Sequence, residues 1–278
     1  MVQARLAEME ELSPGRGAVG GSYWNERGRA RRFGDALDAS AKKDPLFTRL
    51  CQVSGRRSTV VDVGAGTGRF SVALAPRVHE VVAVDPSRAM LGILSRSVRQ
   101  EGLTNVRTIE SRWEDVPLAP DTAGAVPPAD VVFCSFVLPL IAEVDAFLTK
   151  IDAACQGRAL VYMNASNADA TTEHLWRHFH GQRRRLPAPT YLDLAAVLTD
   201  LGLRPEIEVA EVATHVRFDS LAAAVRAYRD TLLLPDTPEM RAELRGLLRT
   251  WLVEDAGALR PPFRSMPTAI VSWAAKVG

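Results

Sequence analysis

Between Val60 and Leu74 the chain reads VVDVGAGTGRFSVAL. A β-branched apolar run gives way to three alternating glycines and then, at once, to helix-compatible spacing. Few backbones suit that order: a buried strand, a sharp turn, and a helix that starts immediately. Gly64, Gly66 and Gly68 strip the turn of side chains. A ligand can then lie against the main chain, where helix N-terminal amides and the helix dipole point at it.

The alternation of strand and helix continues on both sides of this turn. Strands are expected at 58–63, 80–85, 106–110, 129–136 and 158–164, with a sixth near 204–212 and a seventh near 268–276. Helices are expected at 45–53, 68–77, 86–98, 143–155 and 190–203. In the helix over 143–155, Val144, Phe147, Leu148 and Ile151 recur at helical spacing. Short apolar strands alternating with amphipathic helices predict a parallel sheet covered on both faces. Right-handed crossovers make it a doubly wound α/β fold, seven-stranded and mostly parallel, with N-terminal helices and a helical cap or lid.

The expected organisation has four parts. Residues 1–20 form a flexible leader with room for a short helix at its start, 21–56 an N-terminal helical segment, and 57–165 the ligand-binding core. Residues 166–278 complete the sheet and carry the cap, with helices in 219–252 as a lid or dimer surface and the last strand at about 268–275. The Pro/Gly-rich stretch 120–128 reads as an exposed loop.

The chain has a net charge of +1, which argues against a nucleic-acid partner. Cys51, Cys134 and Cys155 stand far apart with no C-x-x-C pair, so neither a disulfide framework nor a metal knuckle is expected. The opening MVQARLAEMEEL has no apolar signal core, and no apolar run approaches the ~20 residues of a membrane span. A soluble, cytoplasmic protein is expected.

Two acids flank the glycine turn. Asp85 ends the second strand, where a carboxylate can accept hydrogen bonds from ribose hydroxyls; it is also placed to cap the helix that follows. Asp62 precedes the first glycine. A dinucleotide site would want a third glycine at Arg69 or Ser71, and its pyrophosphate would be repelled by Asp62. A nucleoside carrying an ammonium group fits the two acids better.

With these residues in place, the stretch Val60–Leu94 resembles the cofactor-binding half of class I S-adenosylmethionine-dependent methyltransferases. VVDVGAGTG is similar to their first motif and VVAVDPSRAML to their second, and the likeness extends through IESRWEDVPL and ADVVFCSFVLPLI. The resemblance implies S-adenosylmethionine as cofactor and S-adenosylhomocysteine as product. It implies that Gly64, Ala65, Gly66 and Gly68 pack against the methionine portion, with Asp62 facing its ammonium. Asp85 would hold the ribose and Pro86 would lie near the adenine. Arg112 and Trp113 fall where the family holds adenine, although arginine cannot accept the adenine amino group's hydrogen bond; Glu110 or Glu114 would supply that acceptor. Cys134 and Ser135 fall beside the methionine group, and Phe136 near the transferred methyl. YWNERGRARRF is similar to a segment that folds over the cofactor, with Tyr23, Trp24 and Arg29 as contacts; a packing helix is the alternative.

For the acceptor side, His174, His178 and Tyr191 are the candidate catalytic residues, since histidine titrates near neutrality and suits a general base. A partly packed surface helix is the competing reading of the histidines, and H-x-x-x-H lacks the glutamate of a zinc motif. Arg183, Arg184 and Arg185 read as a solvated turn or a carboxylate clamp, and Arg241, Arg245 and Arg249 as a wet helix face. The activity implied is methyl transfer to oxygen or nitrogen of a small molecule. RNA or protein methylation, a nicotinamide oxidoreductase, and a non-catalytic nucleoside-binding module are the alternatives.

Overall fold

The computed structural model describes residues 2–12, 38–119, 122–214 and 216–276. Helix α1 (Val2–Leu12) opens the chain. Helix α2 (Pro45–Val53) starts at a proline capped by Asp44, whose carboxylate accepts the Leu46 amide. The expected unit follows: β1 (Thr59–Val63), α3 (Arg69–Leu74), β2 (Glu80–Asp85), α4 (Arg88–Gln100), β3 (Val106–Glu110), β4 (Ala129–Ser135), α5 (Val144–Ala154) and β5 (Cys155–Asn164). Helices α6 (Glu173–His180) and α7 (Tyr191–Asp200) lead to β6 (Glu206–Ala213). Helices α8 (Leu221–Thr231) and α9 (Pro238–Trp251), a small hairpin of β7 (Val253–Asp255) and β8 (Ala258–Arg260), and β9 (Ser265–Ala274) complete the chain.

The sheet has seven strands in the order β3-β2-β1-β4-β5-β9-β6. Strands β1 to β5 run parallel, and β9 inserts antiparallel between β5 and β6. The period-two alternation of the buried strands sorts the core onto two faces. Val60 and Val81 pack with Leu46, Phe47, Leu50, Phe70 and Leu74 of α2 and α3. Val61, Val63, Val82 and Val84 pack with Phe147, Leu148, Ile151, Leu194 and Leu198 of α5 and α7. Trp273 of β9, fully buried, donates its indole N–H to Asp152 of α5 at 3.0 Å and so ties the last strand to that layer.

A second, smaller core forms the cap. Leu175 and Trp176 of α6 meet Ala224, Val225 and Tyr228 of α8 and Leu244 and Leu248 of α9. The first residues depart from the expected leader. Helix α1 lays Met9 and Leu12 against this cap, and its charges are held: Arg5 lies 2.6 Å from Asp169, and Arg183 contacts Glu11 at 2.9 Å. Docking of residues 2–12 was not legible in sequence because these partners lie more than 150 positions away. In the loop near 120–128, residues 122–124 and 128 are exposed as expected, while Val126 is buried and its amide donates to the Pro117 carbonyl. The hairpin of β7 and β8 was not anticipated, being too short to show a period.

Candidate functional site

Carboxyl ends of parallel strands meet where β1 and β4 lie side by side, which is the crevice an open α/β sheet offers a ligand. The chain leaves β1 through Gly64, Gly66 and Gly68, with φ of 74°, 55° and 85°. All three lie in the left-handed region that glycine enters freely. The three differ in what surrounds them. A Cβ on Gly64 would meet Val137 Cγ2 at 2.3 Å, and one on Gly68 would meet Leu94 Cγ at 2.6 Å. A Cβ on Gly66 would meet nothing within 4 Å. Gly66 is therefore bare toward open space, and Gly68 toward the α4 packing.

Asp85 at the end of β2 braces the turn. Its Oδ2 accepts the Gly66 amide at 2.8 Å and its Oδ1 the Ser87 amide at 2.8 Å. Burial raises its pKa and these two amides lower it. Asp62, in the strand itself, accepts the Ser71 hydroxyl at 2.6 Å. Burial pushes the Asp62 carboxyl up to about 7, against the pull of Ser71 and with a further push from Asp85.

These residues border one cavity of about 1160 Å³. Asp62, Gly64, Ala65, Gly66, Asp85, Pro86, Arg112, Trp113, Ser135 and Phe136 all line it. Arg112 is half exposed and contacts Glu114 at 3.4 Å, so Glu114 is the acid beside this wall; Glu110 is exposed and is not part of the lining. The Trp113 ring is buried, and its indole N–H has no hydrogen-bond partner among the described residues. Phe136 has a φ of 58°, strained for a residue with a Cβ, and its ring lies 5.0 Å from that of Tyr162. Its amide donates to Tyr162 at 2.8 Å, which holds the bend in place.

Other expected residues stand elsewhere. Gly68 serves helix packing, as above. Cys134 is fully buried among the sheet valines and its thiol is pushed up by desolvation. Tyr23, Trp24 and Arg29 lie outside the described residues.

The three catalytic candidates do not border the cavity. His174 packs against Trp251 at 5.2 Å between ring centres. His178 pairs with exposed Glu243 at 2.7 Å on the outer face of the cap. Tyr191 starts α7, on the sheet face that holds α5. Helical spacing had put the histidines on one side of a helix, but α6 turns Leu175 and Trp176 inward instead.

Of the residues that build the far half of the cavity, the sequence had singled out only Arg185, as part of a solvated turn or carboxylate clamp, and it pairs with Asp169. Arg5 and Glu8 of α1, Asp169, Arg185, Phe218 and Tyr228 line that half. Among the described residues, no group of three or more His, Cys, Asp or Glu stands where it would hold a metal ion, and no helix is long and apolar enough to cross a membrane.

A doubly wound sheet with a glycine turn and an acid at its carboxyl edge defines a Rossmann-like nucleoside-binding fold. The description "methyltransferase domain" fits residues 60–158. The uncharacterised methyltransferase YcgJ of Bacillus subtilis is 24% identical over 140 residues, 50% of this chain and 52% of that one. The chain thus spans about half the length of that curated relative. The YcgJ crystal structure superposes with a TM-score of 0.56 at 16% identity, covering 84% of this chain and 98% of that one. Magnesium protoporphyrin IX methyltransferase (ChlM) of Synechocystis PCC 6803, with bound SAH, superposes with a TM-score of 0.58 at 13% identity, covering 92% and 97%. Residues 60–158 thus match a methyltransferase domain, and the chain shares the fold of these methyltransferase structures.

Proposed function

We propose that this chain binds S-adenosylmethionine at the glycine turn and moves its methyl group to an oxygen or nitrogen of a small molecule held in the far half of the cavity. The observation that carries the reading is the opening of Gly66, Asp62 and Asp85 onto a single cavity of about 1160 Å³. One small-ligand pocket usually occupies about 300–1,000 Å³, so this one has room for cofactor and acceptor together.

The residues present fit the cofactor. Asp85 keeps lone pairs for two ribose hydroxyls after accepting Gly66 and Ser87. Asp62 offers a buried negative charge to an ammonium. Glu114, beside Arg112 on the cavity wall, offers the carboxylate acceptor for the adenine amino group that Arg112 cannot supply. The bare Gly66 admits the ligand against the main chain.

When bound, the cofactor supplies an electrophilic methyl on sulfur with a neutral thioether as leaving group. The chain's part is then to align, dry and hold. Ser135 and the bent backbone at Phe136 form the wall at the end of β4, and the cap closes the far half, so that an acceptor atom is kept in line and water is excluded. Transfer by such alignment needs no base where the acceptor atom is already deprotonated.

Calorimetry of the purified chain with S-adenosylmethionine and S-adenosylhomocysteine, followed by mass-spectrometric scoring of methyl gain across a metabolite panel, tests the proposal. Uptake of both nucleosides and a product 14 mass units heavier than an acceptor are the expected results; no uptake of either overturns it.

A further inference from the structure

Among the charged side chains of its lining the cavity also has apolar walls, Phe136, Phe218, Phe263 and Met266 among them. Several polar side chains facing it are engaged within the chain. Thr171, Thr172 and Thr231 donate to the carbonyls of Ala168, Asp169 and Ala227. Arg5 and Arg185 face Asp169, and Arg217 faces Asp255.

Tyr228 is engaged through its ring alone. It is 7% exposed and it lines the cavity. Burial alone raises its pKa, and no hydrogen bond offsets that burial. Its ring is fixed between two others, 5.5 Å from Phe218 and 5.3 Å from Trp251, edge-on to the latter. Phe218 is in turn clamped by backbone bonds to Leu259 of the β8 strand at 2.8 and 2.9 Å. The Tyr228 hydroxyl is not among the fully enclosed unpartnered atoms, so on this cavity-lining residue it is left open to a ligand.

We propose that Tyr228 contacts the acceptor, its hydroxyl hydrogen-bonding the O–H or N–H of a molecule whose apolar, ring-sized body lies against Phe136 and Phe218. The acceptor class is then a hydroxylated or aminated aromatic or similarly apolar ring. This rests on the function proposed above and assigns the acceptor half of the same cavity. A neutral phenol donates and accepts at once, so Tyr228 orients the acceptor atom rather than deprotonating it.

Two probes of equal shape test it: p-cresol, and p-xylene, in which a methyl replaces the hydroxyl. Binding of each is followed by ligand-observed NMR on wild type and Tyr228→Phe, with and without S-adenosylhomocysteine. The expected result is that p-cresol loses affinity by about two- to tenfold in the variant while p-xylene is unchanged. S-adenosylhomocysteine affinity, measured by calorimetry, stays equal in both proteins and reports that the variant is folded. Equal p-cresol affinity in the two proteins, a parallel loss for p-xylene, or no binding of either probe overturns the assignment. Failure of S-adenosylhomocysteine to bind wild type overturns the cofactor reading alone, because the titrations without it still read Tyr228.

Discussion

Ser71 donates its hydroxyl to Asp62 Oδ2 across 2.6 Å, linking the first turn of α3 to the middle of β1. That bond is the one contact that favours the charged form of a carboxyl otherwise raised to about 7 by burial and by Asp85. Below that pH an incoming ammonium meets a neutral acid. Affinity for S-adenosylhomocysteine is therefore expected to fall as pH drops from 7.5 to 5.5, approaching about tenfold per unit, and to level off above 7. Asp62→Asn should flatten the profile. Calorimetry across this range checks it, and a flat wild-type curve would exclude the Asp62–ammonium contact. The same shift has a stability consequence. A carboxyl raised from 3.8 to about 7 stabilises the fold in its protonated form, fully at acidic pH, and that contribution is lost as pH rises through 7.

Asp85 serves both the turn and, by our reading, the ribose. Asp85→Ala is expected to weaken cofactor binding by about 1–3 kcal/mol. It also releases the Gly66 and Ser87 amides, so a modest fall in Tm should accompany it. Unchanged affinity by calorimetry would remove Asp85 from the site.

The two outer environments of the glycine turn separate folding from binding. Gly68→Ala drives a Cβ into Leu94 at 2.6 Å in a left-handed conformation, and should cost about 1–3 kcal/mol of overpacking beyond the backbone penalty. Gly66→Ala meets no atom of the described residues within 4 Å and should cost only the left-handed penalty of roughly 1–2 kcal/mol. Its Cβ occupies ligand space instead, so cofactor affinity should fall far more than stability. Denaturant melts alongside calorimetry distinguish the two, and identical effects in both variants would refute the distinction.

Asp169 stands between Arg5 and Arg185, with all three side chains largely buried. Removing the shared anion leaves two guanidinium groups facing each other. Asp169→Ala is expected to cost about 3–5 kcal/mol and to free α1. A lowered Tm and new protease cuts within residues 2–12 are the readouts; a wild-type digestion pattern would show that α1 is held by its apolar contacts alone.

His178 pairs with Glu243 outside the cavity. Once an acceptor is in hand, His178→Ala should leave kcat within about twofold, since an exposed pair contributes little. A loss of tenfold or more would bring this histidine back as a base.

Much of the cavity wall around the glycine turn was legible in the chain. The turn at 64–68, its acids at 62 and 85, and the strand ends at Ser135 and Phe136 are close to one another in sequence or fixed by regular β–α alternation. The acceptor half was not legible, and His174 and His178 misled because spacing gives a helix face without saying which way that face turns. Trp176, fully buried, decides it: the largest apolar side chain of α6 takes the interior and sends His178 to solvent.

The sequence by itself determined the alternating elements, the doubly wound sheet and the ligand-facing backbone, because local periodicity and glycine stereochemistry act over a few residues. Only the tertiary structure decided that α1 docks on the cap, that β9 runs antiparallel between β5 and β6, and that Tyr228 faces the cavity of Asp62. Those outcomes depend on burying apolar surface and pairing charge between segments far apart in the chain, and such contacts leave no short-range pattern to read.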